Sequence, residues 1–235
     1  MGISVHVMHQ APIRVLTNRF RSLDFLNGHT VRKLDRRRWH RGEKTSHDLQ
    51  CIFIGKTGYG KSTTINSIIG KEVFATDATR SCTKDLYCAD FMLRDGEEDF
   101  FSLGDLPGVG ESVAADREYL GWYRDFLAKT DCVVYLLRAD QRDYSIDCQL
   151  FDSLLKESRG RVVIGLNYCD KVEPVNRRSP FLPTVEQERN ITLKIQEAAH
   201  CFNVDPARII PFSAAEEWNL DRLMVAVARV ISHEL

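Results

Sequence analysis

The sequence lacks several features that would assign it to a simple class. No apolar run approaches the roughly 18 residues that a membrane span requires. The seven cysteines include no C-x-x-C pair, which excludes the common zinc and redox spacings. No charge of one sign dominates, with 32 Lys and Arg against 33 Asp and Glu, so a polyanionic partner for the whole chain is not indicated. We therefore expect a cytoplasmic globular protein whose cysteines are reduced and mostly buried.

Charge is nevertheless distributed unevenly along the chain. Residues 1–50 hold ten Lys and Arg against four Asp and Glu, and the excess peaks in the stretch RKLDRRRWHRGEK at residues 32–44. Residues 12–26 place four large apolar side chains on one helical face. They are Ile13, Leu16, Phe20 and Leu23. We predict that residues 1–47 form a basic, partly helical extension of a domain that covers residues 48–235.

Three interpretations of residues 1–47 remain open. The helix packs on the domain beside a solvated basic linker, or the segment binds phosphates of RNA or the ribosome, or the helix lies on a membrane surface. We favour the first for the helix, because four large apolar side chains need a partner. The basic residues would then stay mobile and available to polyanions. They are Arg32, Lys33, Arg36, Arg37, Arg38 and Arg41.

From residue 48 onward, apolar runs typical of buried strands alternate with segments of helical period. This order predicts an α/β fold with a mostly parallel sheet covered by helices on both faces. Two strands joined by the turn-rich residues RDGE predict one antiparallel hairpin within that sheet.

The stretch GKTGYGKS, residues 55–62, has the spacing of a phosphate-binding loop and lies between a predicted strand and a predicted helix. We call these eight residues the P-loop. Backbone N–H groups from Tyr59 to Thr63 are predicted to face phosphate oxygens at the helix N-terminus. Lys61 would bridge the β- and γ-phosphates, and the Ser62 hydroxyl would bind Mg²⁺. The predicted nucleotide contacts here are Gly55, Gly58, Tyr59, Gly60, Lys61, Ser62 and Thr63.

The stretch GDLPG follows a later predicted strand. Asp105 at the end of that strand would hold Mg²⁺ through water. Gly108, three residues on, would offer its N–H to a γ-phosphate with no Cβ in the way. A D-x-x-G spacing is common in loops and is weak evidence alone. Its position after the predicted hairpin is the order expected of a phosphate site.

Two further loops are suited to read a nucleotide base. Asn167 and Asp170 have the N-x-x-D spacing, and the Asp170 carboxylate can accept from the N1–H and the N2 amine of guanine. Adenine would leave that carboxylate unpaired. In the stretch PFSAAEE, the Ala214 N–H would meet guanine O6 and Ser213 would brace the loop.

Together these segments resemble the motifs of translation-factor-related GTPases, and in particular the Era-like group of predicted ribosome-binding GTPases. The resemblance covers about residues 48–235. It implies a G domain with six strands, one of them an antiparallel edge strand, that binds GTP or GDP with Mg²⁺. The family's switch threonine, which closes on Mg²⁺ and γ-phosphate, corresponds best to Thr83, with Thr79 as the second candidate.

Three positions depart from the patterns of this family and its relatives. Tyr168 stands where the N-K-x-D motif has Lys, and its ring could stack on the base instead. Val109 stands where Ras-like enzymes have a water-orienting Gln, so intrinsic hydrolysis should be slow. Gly58 replaces the Asn of potassium-activated relatives, which argues against potassium assistance.

Arg80 supports a more speculative hypothesis. It precedes Thr83 by three residues, the spacing at which α subunits of heterotrimeric G proteins place an arginine that acts on the transferred phosphoryl group. A solvated loop arginine is the simpler interpretation, and we prefer it.

The sequence thus predicts a slow GTPase that acts as a Mg²⁺-dependent molecular switch, with Lys61, Thr83 and Gly108 as catalytic residues and Ser62, Thr83 and Asp105 as metal ligands. A nucleotide-binding module with negligible turnover is the alternative, and an ATPase or nucleotide kinase fits less well. Ribosome, RNA, a membrane surface and a second copy of the chain all remain open as partners.

Overall fold

The structure is a computed structural model that describes residues 29–33, 49–75, 87–92, 100–109, 119–121, 123–124, 126–155 and 158–232. The predicted helix over residues 12–26 and the candidates Thr79, Arg80 and Thr83 lie outside these ranges. None of the helices in the described ranges is both long and apolar enough to cross a membrane.

The described elements alternate between strand and helix, as the sequence predicts. The strands are β1 (His29–Lys33), β2 (Leu49–Ile54), β3 (Tyr87–Met92), β4 (Phe100–Asp105), β5 (Cys132–Arg138), β6 (Val162–Asn167) and β7 (Ile209–Pro211). The helices are α1 (Lys61–Ile69), α2 (Ser145–Leu155), α3 (Val185–Phe202) and α4 (Leu220–Ile231). Further helical residues lie between 119 and 127.

The strands form one sheet in the order β1-β3-β4-β2-β5-β6-β7. Strands β4, β2, β5, β6 and β7 pair in parallel, and β3 pairs antiparallel with β4. These six strands, five parallel and one antiparallel, confirm the predicted fold class. Chain order reverses on either side of β2, since β2 lies between β4 and β5, and such a reversal opens a crevice at the carboxyl ends of the strands.

The sheet has one strand more than the six predicted for the G domain, because β1, from the predicted N-terminal extension, also pairs with it. His29–Lys33 pairs antiparallel with β3, from His29 opposite Phe91 to Lys33 opposite Tyr87. Hence β3 is not the edge strand, and Arg32 and Lys33 belong to the sheet rather than to a mobile basic arm. A five-residue strand with two basic residues has no apolar alternation, and its partner lies more than 50 residues away, so local pattern could not reveal it.

Two apolar layers hold the helices to the sheet because successive strand residues point to opposite faces. On β2, Cys51 and Phe53 belong to a core with α1 and α4, whereas Ile52 and Ile54 belong to a core with α2, α3 and the helical residues between 119 and 127. The result is a three-layer α/β/α arrangement in which the strand ends are rigidly placed.

The cysteines in the described ranges divide into two groups. Cys51, Cys88, Cys132 and Cys169 are buried, in keeping with the prediction. Cys148 on α2 and Cys201 on α3 form a disulfide, which corrects the expectation of reduced cysteines throughout. The two helices lie side by side on one face of the sheet, which brings the two Cα atoms to 6.3 Å. A separation of 53 residues gave no sign of this proximity.

Candidate functional site

The P-loop connects β2 to α1 in a conformation that depends on glycine. Gly55, Gly58 and Gly60 have φ values of 146°, 79° and 85°. A Cβ on Gly60 would lie 2.5 Å from the Asn167 side-chain nitrogen, so this position also needs the space that glycine leaves. Side chains at these positions would strain the loop or displace its neighbours.

The carbonyl oxygens of the P-loop are held by specific donors. Lys61 Nζ lies 3.2 Å from the carbonyl oxygen of Gly55 and 3.1 Å from that of Lys56. At the start of α1, Thr64 donates to the Gly60 carbonyl through its N–H at 2.8 Å and its hydroxyl at 2.6 Å. Carbonyl oxygens repel phosphate, so a loop whose carbonyls are engaged in this way is suited to bind phosphate through its N–H groups.

One predicted donor has a role within the loop itself. The Tyr59 N–H, expected to face phosphate, points to the Lys56 carbonyl oxygen at 3.3 Å in a turn. The predicted contact of Tyr59 with the nucleotide therefore stays a prediction.

Ser62 and Asp105 meet at the position where Mg²⁺ is predicted. The Ser62 hydroxyl donates to Asp105 Oδ2 at 2.7 Å, and the Asp105 side chain is fully buried at the end of β4. A hydroxyl and a carboxylate are oxygen ligands of the kind that Mg²⁺ takes, directly or through water. The two residues present here therefore fit the ion.

The D-x-x-G segment after β4 is fastened to the P-loop. The Thr57 N–H donates to the Val109 carbonyl oxygen at 2.9 Å, and the Val109 N–H lies 3.4 Å from the Gly55 carbonyl oxygen. A Cβ on Gly108 would come within 2.5 Å of the Thr57 hydroxyl oxygen. Glycine at this position is required by the close approach of the P-loop, in addition to the predicted contact with phosphate.

The side chain of Val109 faces the core and not the site. It is 4% exposed and packs in the cluster that includes Leu106, Tyr119 and Tyr123. A residue held in this way offers no atom to a water molecule near the phosphates.

Asn167 joins the base-reading loops to the P-loop. Its Nδ2 donates to the Tyr59 carbonyl oxygen at 3.2 Å, and its Oδ1 accepts from the N–H groups of Tyr168 at 2.8 Å and Ala214 at 3.0 Å. The Ala214 N–H, predicted to meet guanine O6, is thus paired with Asn167 in this structure, and its contact with a base stays a prediction.

Asp170 is fixed by its neighbours on both carboxylate oxygens. Ser213 Oγ donates to Oδ1 at 2.7 Å, and the Lys171 ammonium lies 2.8 Å from Oδ2. Asp170 is 4% exposed, whereas the Lys171 side chain is 54% exposed. The carboxylate raises the pKa of Lys171, chiefly by accepting its hydrogen bond. An exposed lysine can be displaced by a base. Oδ2 is therefore the oxygen whose hydrogen bond from Lys171 can be replaced by one from a ligand.

Tyr168 connects the base-reading loop after β6 to the P-loop by a hydrogen bond. Its hydroxyl donates to the Gly58 carbonyl oxygen at 3.1 Å, and the Arg138 guanidinium lies over its ring, 4.2 Å from the centroid. Asp140 holds Arg138 by two contacts, at 2.9 and 2.7 Å. Burial raises the pKa of the Tyr168 hydroxyl, which keeps it protonated as a donor.

Sequence reasoning missed a buried polar cluster on the flank of the P-loop. Asp147, in the first turn of α2, is fully buried, and its Oδ2 lies 2.9 Å from Lys56 Nζ, 2.8 Å from Gln141 Nε2 and 3.3 Å from the Tyr59 hydroxyl. An aspartate near a helix N-terminus is ordinary in a sequence, so only the fold shows that this one contacts the P-loop.

The fold thus brings together most of the predicted site. Lys61, Ser62, Asp105 and Gly108 gather around the P-loop, and Asn167, Asp170, Ser213 and Ala214 lie in the loops after β6 and β7. Thr83 lies outside the described residues. The residues that sequence reasoning did not assign are Lys56, Arg138, Gln141 and Asp147.

A three-layer α/β fold, with a P-loop between β2 and α1 and a hydroxyl–carboxylate pair beside it, defines the class of P-loop nucleotide-binding proteins. The sequence matches the family of 50S ribosome-binding GTPases over residues 50–168. The chain belongs to this family, and it therefore carries a GTPase domain of this type.

The sequence is also similar to an individual protein of Escherichia coli K12. The chain is 35% identical over 152 residues to YfjP of Escherichia coli K12, a protein described as uncharacterized, in an alignment that covers 64% of this chain and 51% of YfjP. The chain therefore spans about half the length of that relative.

Two solved structures share the fold. Aquifex aeolicus Era bound to GDP·AlF₄⁻ superposes with a TM-score of 0.63 at 19% identity, covering 78% of this chain and 56% of Era. Era in complex with MgGDPNP and a segment of 16S ribosomal RNA gives 0.61 at 18% identity, with coverage of 78% and 56%. The predicted resemblance to the Era-like group is confirmed.

Proposed function

We propose that this protein binds GTP with Mg²⁺ and hydrolyses it slowly to GDP and phosphate, as a molecular switch. The observation that carries the proposal is the set of three hydrogen bonds made by Asn167. They tie the phosphate loop to the two base-reading loops, so that phosphate and base contacts belong to one site.

Each described residue has a role that follows from its position. Lys61 holds the β- and γ-phosphates, and Ser62 with Asp105 holds Mg²⁺, which neutralises charge on the phosphates when bound. Asp170 accepts from the N1–H and N2 amine of guanine. Gly108 is a candidate for sensing the γ-phosphate. Thr83, outside the described residues, is a second candidate from the family resemblance alone.

A slow intrinsic rate follows from the position of Val109. Because its side chain is buried in the core, the attacking water has to be oriented by backbone groups, by another side chain or by a partner protein or RNA. A partner that supplies such a group would accelerate hydrolysis, which is how a switch of this kind is controlled.

The buried Val109 is also compatible with a second candidate function. A nucleotide-binding module with negligible turnover would have the same P-loop and base loops, and it would need no residue to orient water. The two candidates differ only in turnover.

Phosphate release under multiple-turnover conditions separates the candidates. We expect release from GTP with Mg²⁺, little release with EDTA, and little from ATP. If the native chain releases phosphate from GTP no faster than the Lys61→Ala variant does, the nucleotide-binding module is favoured. Equal rates of phosphate release from GTP and from ATP would contradict the guanine assignment.

Ribosome or RNA binding is the second part of the proposal, and it rests on the family to which the chain belongs and on the basic residues near the N-terminus. We prefer it to membrane binding or to a homodimer. Substitution of Arg36, Arg37, Arg38 and Arg41 by Gln spares β1. We expect this variant to pellet less with ribosomes at low salt, and the native chain to lose pelleting as salt rises. Equal pelleting of both forms at low salt would contradict the role of this segment.

A further inference from the structure

The most unusual charged group near the site is the carboxylate of Asp147. The residue is fully buried. Its main-chain oxygen accepts a hydrogen bond from the Tyr135 hydroxyl of β5 at 3.0 Å, which ties the first turn of α2 to the sheet. Its Oδ2 lies 2.9 Å from Lys56 Nζ and 2.8 Å from Gln141 Nε2. Its Oδ1 is buried with no hydrogen-bond partner among the described residues.

Two of the groups around this carboxylate belong to the P-loop. Lys56 occupies the first variable position of the loop and Tyr59 the fourth, and the Tyr59 hydroxyl lies 3.3 Å from Asp147 Oδ2. The hydroxyl also donates to Gln141 Oε1, whose amide in turn donates to Asp147. Burial, and then the nearby carboxylate, raise the pKa of Tyr59, so its hydroxyl remains a donor.

Stability alone does not account for this arrangement. A buried ion pair gains little over an apolar pair of similar volume, because both charges lose their hydration. A buried carboxylate oxygen left without a hydrogen-bond partner adds a further cost. The advantage of the cluster therefore lies in what it holds in place.

The cluster holds the first half of the P-loop, which the Lys61 ammonium and the backbone of Val109 also contact. Gly55 and Gly58 have positive φ values and flank Lys56 and Thr57, so the backbone there has many conformations to choose from. Other contacts restrain the loop from the base side, through Tyr168 and Asn167. On the side of α2, the described restraint is the cluster around Asp147.

We propose that Asp147 is a positioning residue, which fixes the P-loop through Lys56 and Tyr59 in the shape that binds the β-phosphate. The proposal rests on the guanine-nucleotide function given above. Asp147 itself does not touch the nucleotide. Removing its charge should release the first half of the loop and weaken contacts to the β-phosphate, while the base-reading loops after β6 and β7 stay as they are.

The test compares GDP with GMP, which lacks the β-phosphate, in Asp147→Asn. We expect the variant to bind GDP on the order of tenfold more weakly and GMP with unchanged affinity. A general loss of structure would weaken both nucleotides alike. Asp152→Asn is the matched control, since Asp152 lies on the same helix with its side chain 61% exposed, and it should bind both nucleotides as the native chain does.

Two further variants keep the proposal testable if Asp147→Asn folds poorly. Tyr59→Phe removes one hydroxyl and keeps the ring, and we expect it to weaken GDP a few-fold and GMP not at all. Lys56→Met in combination with Asp147→Asn should lose no more GDP affinity than the weaker-binding single variant, because both act through one contact.

Native affinity for GDP in folded Asp147→Asn and in Tyr59→Phe would overturn the proposal, and so would equal losses for GDP and GMP. Failure of the native chain to bind GDP would instead overturn the guanine-nucleotide function itself. The two failures are therefore distinguishable from the first titration.

Discussion

The Lys61 ammonium lies between two carbonyl oxygens of its own loop, 3.2 Å from that of Gly55 and 3.1 Å from that of Lys56. These contacts extend the side chain back over the P-loop, where a phosphate would lie. Bound phosphate would exchange neutral acceptors for charged ones, which form stronger hydrogen bonds. The residue is 6% exposed, so its charge is poorly screened by water.

Lys61→Ala should weaken GTP and GDP binding roughly 100-fold, because the phosphate loses a charged donor in a largely desolvated site. Titration with a fluorescent guanine nucleotide measures the change. Lys71→Ala, at an exposed lysine just beyond α1, should bind as the native chain does. Unchanged affinity in Lys61→Ala would remove the assignment of a phosphate loop.

Asp170→Asn should move the preference from guanine towards xanthine nucleotides. Xanthine has a carbonyl where guanine has its amine, and the asparagine amide can donate to it. Its remaining oxygen can still accept from Ser213 Oγ, so the brace on the loop is kept. The ratio of GDP to XDP affinities measures the change, with exposed Asp221→Asn as control. A native ratio in Asp170→Asn would show that another group reads the base.

Among the elements, the loop after β6 has the backbone least expected from its sequence. Tyr168 has φ of 65°, a left-handed conformation that costs a side-chain-bearing residue about 1–2 kcal/mol. The Asn167 side chain holds it there by accepting the Tyr168 N–H. The conformation brings the Tyr168 hydroxyl to the Gly58 carbonyl oxygen, so a hydrogen bond joins the P-loop to the loop after β6.

Tyr168→Phe should weaken GDP binding roughly two- to tenfold, because it removes the hydrogen bond to Gly58 and keeps the ring. Tyr168→Lys restores a donor of the kind found in the N-K-x-D motif, and we expect it to bind close to the native level. All three side chains bear the same backbone strain, so that cost cancels in the comparison. Equal GDP affinities for Tyr168→Phe and the native chain would show that the hydrogen bond from Tyr168 to Gly58 does not contribute to nucleotide binding.

The elements of this site differ in how far sequence predicts them. The P-loop is predicted well because its chemistry is local: glycines for the backbone, lysine and serine for phosphate and metal, and a strand and helix on either side. The contacts of Tyr168 and Asp147 with the P-loop are not predicted, because they join residues 88 to 110 positions apart. The disulfide between α2 and α3 and the pairing of β1 escaped prediction for the same reason.

For the whole molecule, β1 changes the expected contribution of the N-terminal segment. Deleting residues 1–28 leaves β1 in place, whereas deleting residues 1–47 also removes its hydrogen bonds to β3 over five residue pairs. We expect the longer deletion to lower the melting temperature by at least roughly 4 °C more than the shorter one, given 2–4 °C for each kcal/mol in a domain of this size.

Both deletions should leave GDP affinity nearly native, because the described site begins at residue 55. Scanning calorimetry of the two truncated proteins, with and without GDP, makes the comparison. Equal melting temperatures would show that β1 contributes nothing to stability. A fall in the shorter deletion would instead support the packed helix predicted for residues 12–26.

The position of β1 also decides which backbone the sheet presents to other proteins. An open strand edge is a template for pairing with another chain, and short strands, proline and basic residues reduce that hazard. Among the described strands, one edge of the sheet is β7, three residues ending in Pro211, and the other is β1, which contains Arg32 and Lys33. Without β1 the edge would pass to β3, whose Ala89 and Phe91 are fully buried. We therefore expect the short basic strand to limit pairing with a second chain, and its loss to appear as concentration-dependent oligomers in size-exclusion chromatography.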